Sequence, residues 1–216
     1  MQAPAPVAEL LAALTYGEQR AAERARDHVD LAPDERRRGE QRAVAEREEM
    51  NRRLVEARLD EVGTADMATR FAPFFDAFYD HTEPTGWVEA QAWHYIGDAL
   101  VSDFADVLVE VVDPVTAEIV RRSLGDRERQ ETFALDELTR AIDEDPGVLE
   151  GIAHYARRIV GEALTQTSRA LERTHLFRDL LGGEEGEKRL VHDLLERHRA
   201  RLDRLGIDKV EIDTGE

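Results

Sequence analysis

Cysteine is absent from the 216 residues. That excludes disulfides, zinc–thiolate sites, iron–sulfur clusters and cysteine nucleophiles. It fits a reducing compartment, so a cytoplasmic location is expected. Lysine is nearly absent too: of 29 basic residues only Lys188 and Lys209 are lysine. This Ala/Arg-rich bias points to a GC-rich genome rather than to a function, and a salt-adapted source is a second explanation of the acidity. No apolar run approaches the roughly 20 residues of a membrane span. The opening "MQAPAPVAELLAALTYGEQ" lacks the basic n-region of a signal peptide. There is no G-x-S-x-G, P-loop or Rossmann fingerprint. Excess positive charge is missing as well: the net charge is −18, which disfavours wholesale binding of nucleic acid or an anionic membrane.

What is present is helical periodicity. Apolar residues make up 42% of the chain, enough for a sizeable core, and alternating β-type stretches are few, so an all-α fold is expected. Six helices are predicted. The first spans about Val7 to His28, with Val7, Leu10, Leu14, Ala21 and Ala25 on one face. The second spans about Pro33 to Val62, inward through Val44, Glu48, Asn51, Val55, Leu59 and Val62, with Pro33 at its first turn and Gly63 as its stop. The stretch "GTADMATRFAPFFDAFYDHTEPTGW" follows; it is expected to cap one end of the bundle, its aromatics packing into the core.

The third predicted helix spans about Trp87 to Val112, inward through Val88, Tyr95, Asp98, Ser102 and Val109. The fourth opens at Pro114 and runs to Ile142, inward through Val120, Leu124, Glu131, Leu135, Leu138 and Ile142. A fifth covers about Leu149 to Thr174 and a sixth about Glu185 to Leu205. The sixth is amphipathic, with Leu190, Leu194, Leu195, Leu202 and Leu205 near one face. That face is expected to pack on its own bundle, with a homodimer contact as the other use.

Glu18, Glu48, Asp98 and Glu131 fall mid-helix on inward faces, one in each of the first four helices. Buried carboxylates that converge repel one another unless cations or protons compensate them. Di-metal carboxylate bundles use such an arrangement, with one Glu from each of two helices and Glu-x-x-His from each of the other two. With so many acids in the chain, an outward-facing position is the plain alternative for each, most of all for Glu131. His94 lies one turn before Asp98, so it could pair with that carboxylate; a helix-surface histidine is the commoner outcome. Glu162 follows Arg157 and Arg158 by a turn and is expected to form an intrahelical ion pair, with a pocket-facing role as the alternative. His154, His175, His192 and His198 do not cluster and are expected at the surface. Gly97 is expected at a close helix–helix contact.

The stretches "LTYGEQRAAER", "FDAFYDHTEPTGWVEA", "YIGDALVSDF" and "RRIVGEALTQ" resemble the ferritin-like, tRNA-hydroxylase-like (MiaE-like) family of actinobacterial type. The resemblance spans roughly Ala8 to Leu180. It implies a ferritin-like four-helix bundle with two additional C-terminal helices, in one domain over residues 1–206, followed by a frayed acidic tail, 207–216. It also implies an ancestral non-haem diiron site for O₂-dependent hydroxylation. Within that pattern the first-helix acid matches Glu18, the third-helix acid Asp98 and the second-helix acid Glu48, whose histidine partner falls on Asn51. In the fourth helix the acid falls on Arg127 and the histidine on Gln130; the registers Asp126/Arg129 and Glu128/Glu131 are alternatives, and none contains His. Both metal-binding histidines are therefore missing.

Amide side chains are poor ligands for iron, and an arginine in the site competes with a cation for the carboxylates. The expectation is a degenerate metal site without a cofactor. Its polar pocket, built from Glu18, Glu48 and Asp98 as catalytic groups with Asn51, His94, Tyr95, Gln130 and Glu162 around a substrate, would bind or transform a small organic molecule. The alternatives are an Fe or Mn di-metal oxygenase or hydroxylase held by Glu18, Glu48, Asp98 and Glu131, and a non-enzymatic helical scaffold.

Overall fold

The computed structural model describes residues 5–61, 65–110, 112–124, 127–173 and 182–207; the expected acidic tail beyond Ile207 and His175 lie outside them. Helix α1 (Ala5–Asp27) and helix α2 (Glu35–Glu61) form a hairpin and share the most extensive packing in the molecule. The turn between them ends on Asp34, whose Oδ1 accepts the backbone N–H of Arg37 at 2.8 Å. Asp34 is therefore the N-cap, and Pro33 precedes the cap rather than opening the helix as expected.

The long segment expected as a cap carries helical structure of its own, a 3₁₀ helix (Ala65–Phe71) running into α3 (Ala72–His81). Its aromatics are core residues: Phe71, Phe74, Phe78 and Tyr79 are all buried. Helix α4 (Trp87–Leu108) follows. Every residue from Ala90 to Ala99 in it is buried, the polar Gln91, His94 and Asp98 among them, because other helices pack around it on all sides.

The fourth predicted helix is two. Helix α5 (Pro114–Leu124) starts at an Asp113 cap, whose Oδ1 accepts the N–H groups of Val115 and Thr116, with Pro114 at its first turn as expected. Helix α6 covers Arg127–Glu144. The buried face of α6 is Gln130, Ala134, Glu137 and Leu138, so Glu131 and Leu135, expected inward by extrapolation from Val120, are only partly buried.

Helices α7 (Val148–Arg173) and α8 (Glu184–Arg204) pack on α3 and α4. Leu190, Leu202 and Leu205 of the amphipathic C-terminal segment are buried in the molecule's own core, and Leu194 and Leu195 pack against it. Asp103 on α4 ties α8 down, receiving Arg197 at 3.1 Å and Arg201 at 2.5 and 3.0 Å.

Three apolar groups surround a polar layer. Val7, Leu10, Leu14, Val55, Leu59, Phe71 and Val109 belong to one group. Trp93, Tyr95, Ile96, Leu138 and Tyr155 belong to a second. Ala25, Val44 and Ala45 form the third. Along α1 and α2 the chain passes from the first group to the third through Glu18, Glu48 and Asn51. A fully buried aliphatic side chain contributes roughly 1.5–3 kcal/mol, so the apolar groups outweigh the cost of the layer between them. No helix among the described residues is long and apolar enough to cross a membrane.

Candidate functional site

The polar layer gathers side chains from four helices and from the turn after α1. Glu18 (α1), Glu48 and Asn51 (α2), His94 and Asp98 (α4) and Gln130 (α6) are each less than a tenth exposed. Glycines help to close the layer. A Cβ on Gly17 would meet the Phe75 ring at 3.0 Å, so α3 can lie directly over the turn that carries Glu18. A Cβ on Gly97 would meet the Trp93 ring at 3.2 Å. Gly97 thus accommodates an indole of its own helix rather than a second helix, as had been expected.

Arg127 enters from the first residue of α6. Its Nη2 donates to Glu18 Oε1 at 3.0 Å and its Nη1 to the carbonyl oxygen of Asp98 at 3.1 Å. Two residues on that helix therefore face the acids at the i, i+3 spacing: Arg127, and Gln130, whose Nε2 donates to Asp98 Oδ2 at 2.6 Å. Of the alternative fourth-helix registers, Asp126 lies outside the described residues, Arg129 pairs with Glu40 at 3.2 Å, and Glu128 and Glu131 do not face this layer. Glu131 sits beside Arg204 at 3.4 Å and Arg201 at 3.7 Å. With Glu128 it lines an open cleft of about 420 Å³ between α6 and α8.

A second set of donors converges on Asp98. His94 Nδ1 lies 2.8 Å from Asp98 Oδ2. His94 is buried, not a surface histidine. Its Nε2 lies 2.9 Å from both Gln41 Nε2 and His28 Nδ1. With His94 Nδ1 donating to the carboxylate, Nε2 is left as the acceptor, its single lone pair facing both the Gln41 amide and His28 Nδ1. His28, His94 and Asp98 thus form a chain of close contacts that ends at the carboxylate. Burial, followed by the neighbouring His94 and Arg24, pushes His28 far below the usual imidazole range, so His28 is neutral.

Electrostatically the carboxylates divide. Burial pushes Glu18 well above the usual range; Arg127 opposes the shift, and Glu48, to which Glu18 is hydrogen-bonded, adds to it. Burial also raises Glu48, against the pull of Arg127. Two buried carboxyl groups that interact this closely repel less when one of them carries a proton. Desolvation works against charge on Arg127, but Glu18, Glu48 and Asp98 outweigh it and hold the guanidinium above its ordinary value. Tyr79, buried beside the layer, is raised by burial first and by Asp98 second.

Other candidates lie elsewhere. Tyr95 is buried, but its hydroxyl donates to the carbonyl oxygen of Arg201 at 3.1 Å, away from the acids. Glu162 bonds His81 at 2.9 Å and Gln166 at 2.6 Å, on the outer side of α7 toward α3. His198 is buried, not exposed as expected, and burial, followed by Arg201, lowers it to about 4. Sequence reasoning missed Gln41 and His28, because no periodicity links the end of α1 to position 94.

The di-metal centre of ferritin-like carboxylate bundles does not fit these residues. The positions that the resemblance assigns to Glu-x-x-His carry Glu48/Asn51 and Arg127/Gln130, and the Arg127 guanidinium contacts Glu18. Among the described residues no three His, Cys, Asp or Glu side chains are grouped to hold a metal ion. Polar atoms are nevertheless left over: Oε2 of Glu18 and of Glu48, Nε of Arg127 and Oε1 of Gln130 are buried without a hydrogen-bond partner. A proton between Glu18 and Glu48 accounts for the carboxyl groups; it does not account for the guanidine and amide atoms.

An all-α bundle with a polar layer at mid-height, contributed by facing helices, defines the ferritin-like class. The family described as "Ferritin-like domain, actinomycetes" matches residues 2–184. The chain belongs to that family, and α8 lies almost wholly beyond the matched region. A comparison with curated proteins finds no match.

Proposed function

We propose that this is a metal-independent ferritin-like protein whose polar layer binds a small organic molecule and acts on it by hydrogen bonding and proton transfer. The observation that carries the reading is the buried, hydrogen-bonded Glu18–Glu48 carboxyl pair beside Arg127, with unsatisfied atoms on Arg127 and Gln130 left to meet a ligand. Two carboxyl groups sharing a proton supply an acid and a base at one place. The Asp98–His94–His28 chain keeps a neighbouring carboxylate hydrogen-bonded and oriented. Arg127 Nε and Gln130 Oε1 offer one donor and one acceptor, which favours a small polar ligand carrying both. The pair and its neighbours are the groups that would touch it: Glu18 and Glu48 as proton carriers, Asp98 as electrostatic partner, Asn51 and Gln130 as positioning amides.

Ferritin-like hydroxylation of a tRNA is the finer reading that the resemblance offers. The net charge of −18 and the lack of a basic, aromatic-interleaved patch in the sequence weigh against a nucleic-acid substrate. A gel shift that survives moderate salt would reinstate it.

The test is a thermal-shift screen of small polar metabolites, repeated on Glu48→Gln, with elemental analysis of protein from its native host. The expected result is a stabilising compound whose effect is lost in the variant, and protein free of stoichiometric transition metal. A screen without hits, or one iron or manganese per chain or more, overturns the reading.

A further inference from the structure

The groups that line the layer raise a question separate from what the layer binds: which cation holds its acids together. Glu18, Glu48 and Asp98 come from three helices and interact at close range in a space closed to water. Ferritin-like di-metal bundles bring carboxylates together in this way around metal ions, with a Glu-x-x-His pair on each of two helices. Here the second such pair is Arg127 and Gln130, at the same spacing and on the buried face of α6.

We infer that the Arg127 guanidinium is the resident cation of this bundle, occupying the place of a metal between the α1 and α4 acids and excluding divalent ions from it. Three observations converge on this role. The guanidinium reaches α1 through Glu18 and α4 through the Asp98 carbonyl, so it bridges the helices that a bridging ion would join. Its side chain is only 12% exposed while that of Glu18 is 3%, so the pair is a built interior contact and not a surface one. Gln130, one turn on, presents its N–H to Asp98, a donor where a metal ligand needs a lone pair.

The exclusion follows from charge and reach. An incoming divalent ion would have to share the Glu18 carboxylate with a positive group hydrogen-bonded to it, and would lie close to that charge at Glu48 and Asp98 as well. Arginine does not deprotonate to make room, and its Nη contacts on two helices leave it no direction in which to swing out without breaking both. The inference holds whether or not an organic ligand is bound, and its test reads metal rather than ligand.

The experiment rebuilds the two ligand pairs. The triple variant N51H/R127E/Q130H and the wild-type chain are each loaded anaerobically with Fe(II), and separately with Co(II), desalted and analysed for metal. The wild type is expected to retain substoichiometric metal, and the variant about two ions per chain with a visible Co(II) d–d spectrum. Stoichiometric metal on the wild type overturns the inference. So does a variant that is helical by circular dichroism yet retains no more metal than the wild type.

A second variant keeps the inference testable if the triple variant does not fold. Arg127→Met removes the charge at similar volume. Its melting temperature is expected to fall and then to rise by several degrees on adding Mn(II), while the wild type does not respond and Arg127→Lys lies between them. An Arg127→Met protein as stable as the wild type and indifferent to Mn(II) also overturns the inference. Stoichiometric metal on the wild type would overturn the metal-independent reading as well, on which this inference rests; failure of the variants with a metal-free wild type overturns this inference alone, and a metabolite screen without hits overturns only the proposed function.

Discussion

Two buried carboxylate sites meet on helix α6, and they are built in opposite ways. Glu137, near the C-terminal end, is surrounded by donors: Arg36 at 3.0 Å, Arg140 at 2.7 Å, the Trp87 indole at 3.1 Å, and Arg37. Burial alone would raise its pKa, but the hydrogen bonds from Arg37 and Trp87 hold it below the usual range. At the N-terminal end one guanidinium serves Glu18 and Glu48 together, Glu18 is pushed up, and polar atoms remain unpartnered. A carboxylate with surplus donors is an anchor, here fastening the start of α2 and the start of α4 to α6. A carboxyl group with too few donors is left for a proton or a ligand. That contrast separates the structural acid from the ones proposed to act better than burial does, since both sites are buried.

The largest expected effect breaks the N-terminal site. Arg127→Met leaves three buried acids without a counter-charge and should cost about 3–5 kcal/mol in urea denaturation. Adding Glu18→Gln to that variant should restore a large part of the loss, because the amide needs no cation. A double variant as unstable as Arg127→Met alone would show that the pair is not the source of the cost.

Next comes the saturated site. Glu137→Gln should lose roughly 1–3 kcal/mol, the cost of leaving buried donors poorly satisfied, with no effect on a compound found in the metabolite screen. If the compound's affinity falls with the stability, the two ends of α6 are not independent.

The third effect is the dependence of stability on pH, and its sign differs between the sites. Glu18 is raised in the folded chain, so its stabilising contribution is full below the ordinary glutamate value and is lost as pH rises through the folded value. Glu137 is lowered, so its contribution is present above the ordinary value and is lost as pH falls through the folded one. Melting temperatures recorded on both sides of neutrality should therefore flatten on the alkaline side for Glu18→Gln and on the acid side for Glu137→Gln. Identical profiles in the two variants would refute the division.

The smallest effects test residues that periodicity and resemblance placed at the site and the fold does not. Tyr95→Phe removes one hydrogen bond to α8 and should cost about 0.5–1.5 kcal/mol. Glu162→Gln breaks a contact with the exposed His81 and should cost about 0–1 kcal/mol. Neither should weaken the stabilising compound by as much as twofold in Kd. A larger loss in either would extend the site outward.

Much of this was legible in order and phase. Glu18, Glu48 and Asn51 lie on uninterrupted helices whose apolar neighbours, Leu14, Val44 and Val55, share their face, so a period of 3.6 placed them correctly. Asp98 was likewise found inward, on a helix buried on all sides. The fourth helix failed for a definable reason. Its expected face was extrapolated from Val120; Leu138 is buried as expected, but the buried face of α6 turns toward Gln130, Ala134 and Glu137. Thus Glu131 was drawn inward and Glu137 overlooked. Only the family pattern placed Arg127 and Gln130, because it counted backward from "FALDELTRAI" within the unbroken part of α6. His28 and Gln41 lie 66 and 53 residues from the His94 they touch, a separation on which local periodicity is silent.

The sequence by itself determined the class: helices of the right length and order, and no cysteine or β pattern to suggest another fold. What it could not decide was how the remaining charge is arranged. Whether Arg127 points at Glu18 or at water depends on where α6 begins, and whether His94 is a surface residue or the middle of a buried chain depends on what packs over α4. Periodicity records which side of a helix is apolar; it does not record which polar groups meet when four such sides close on one another. In this bundle those meetings set the protonation of Glu18 and the cation held beside it.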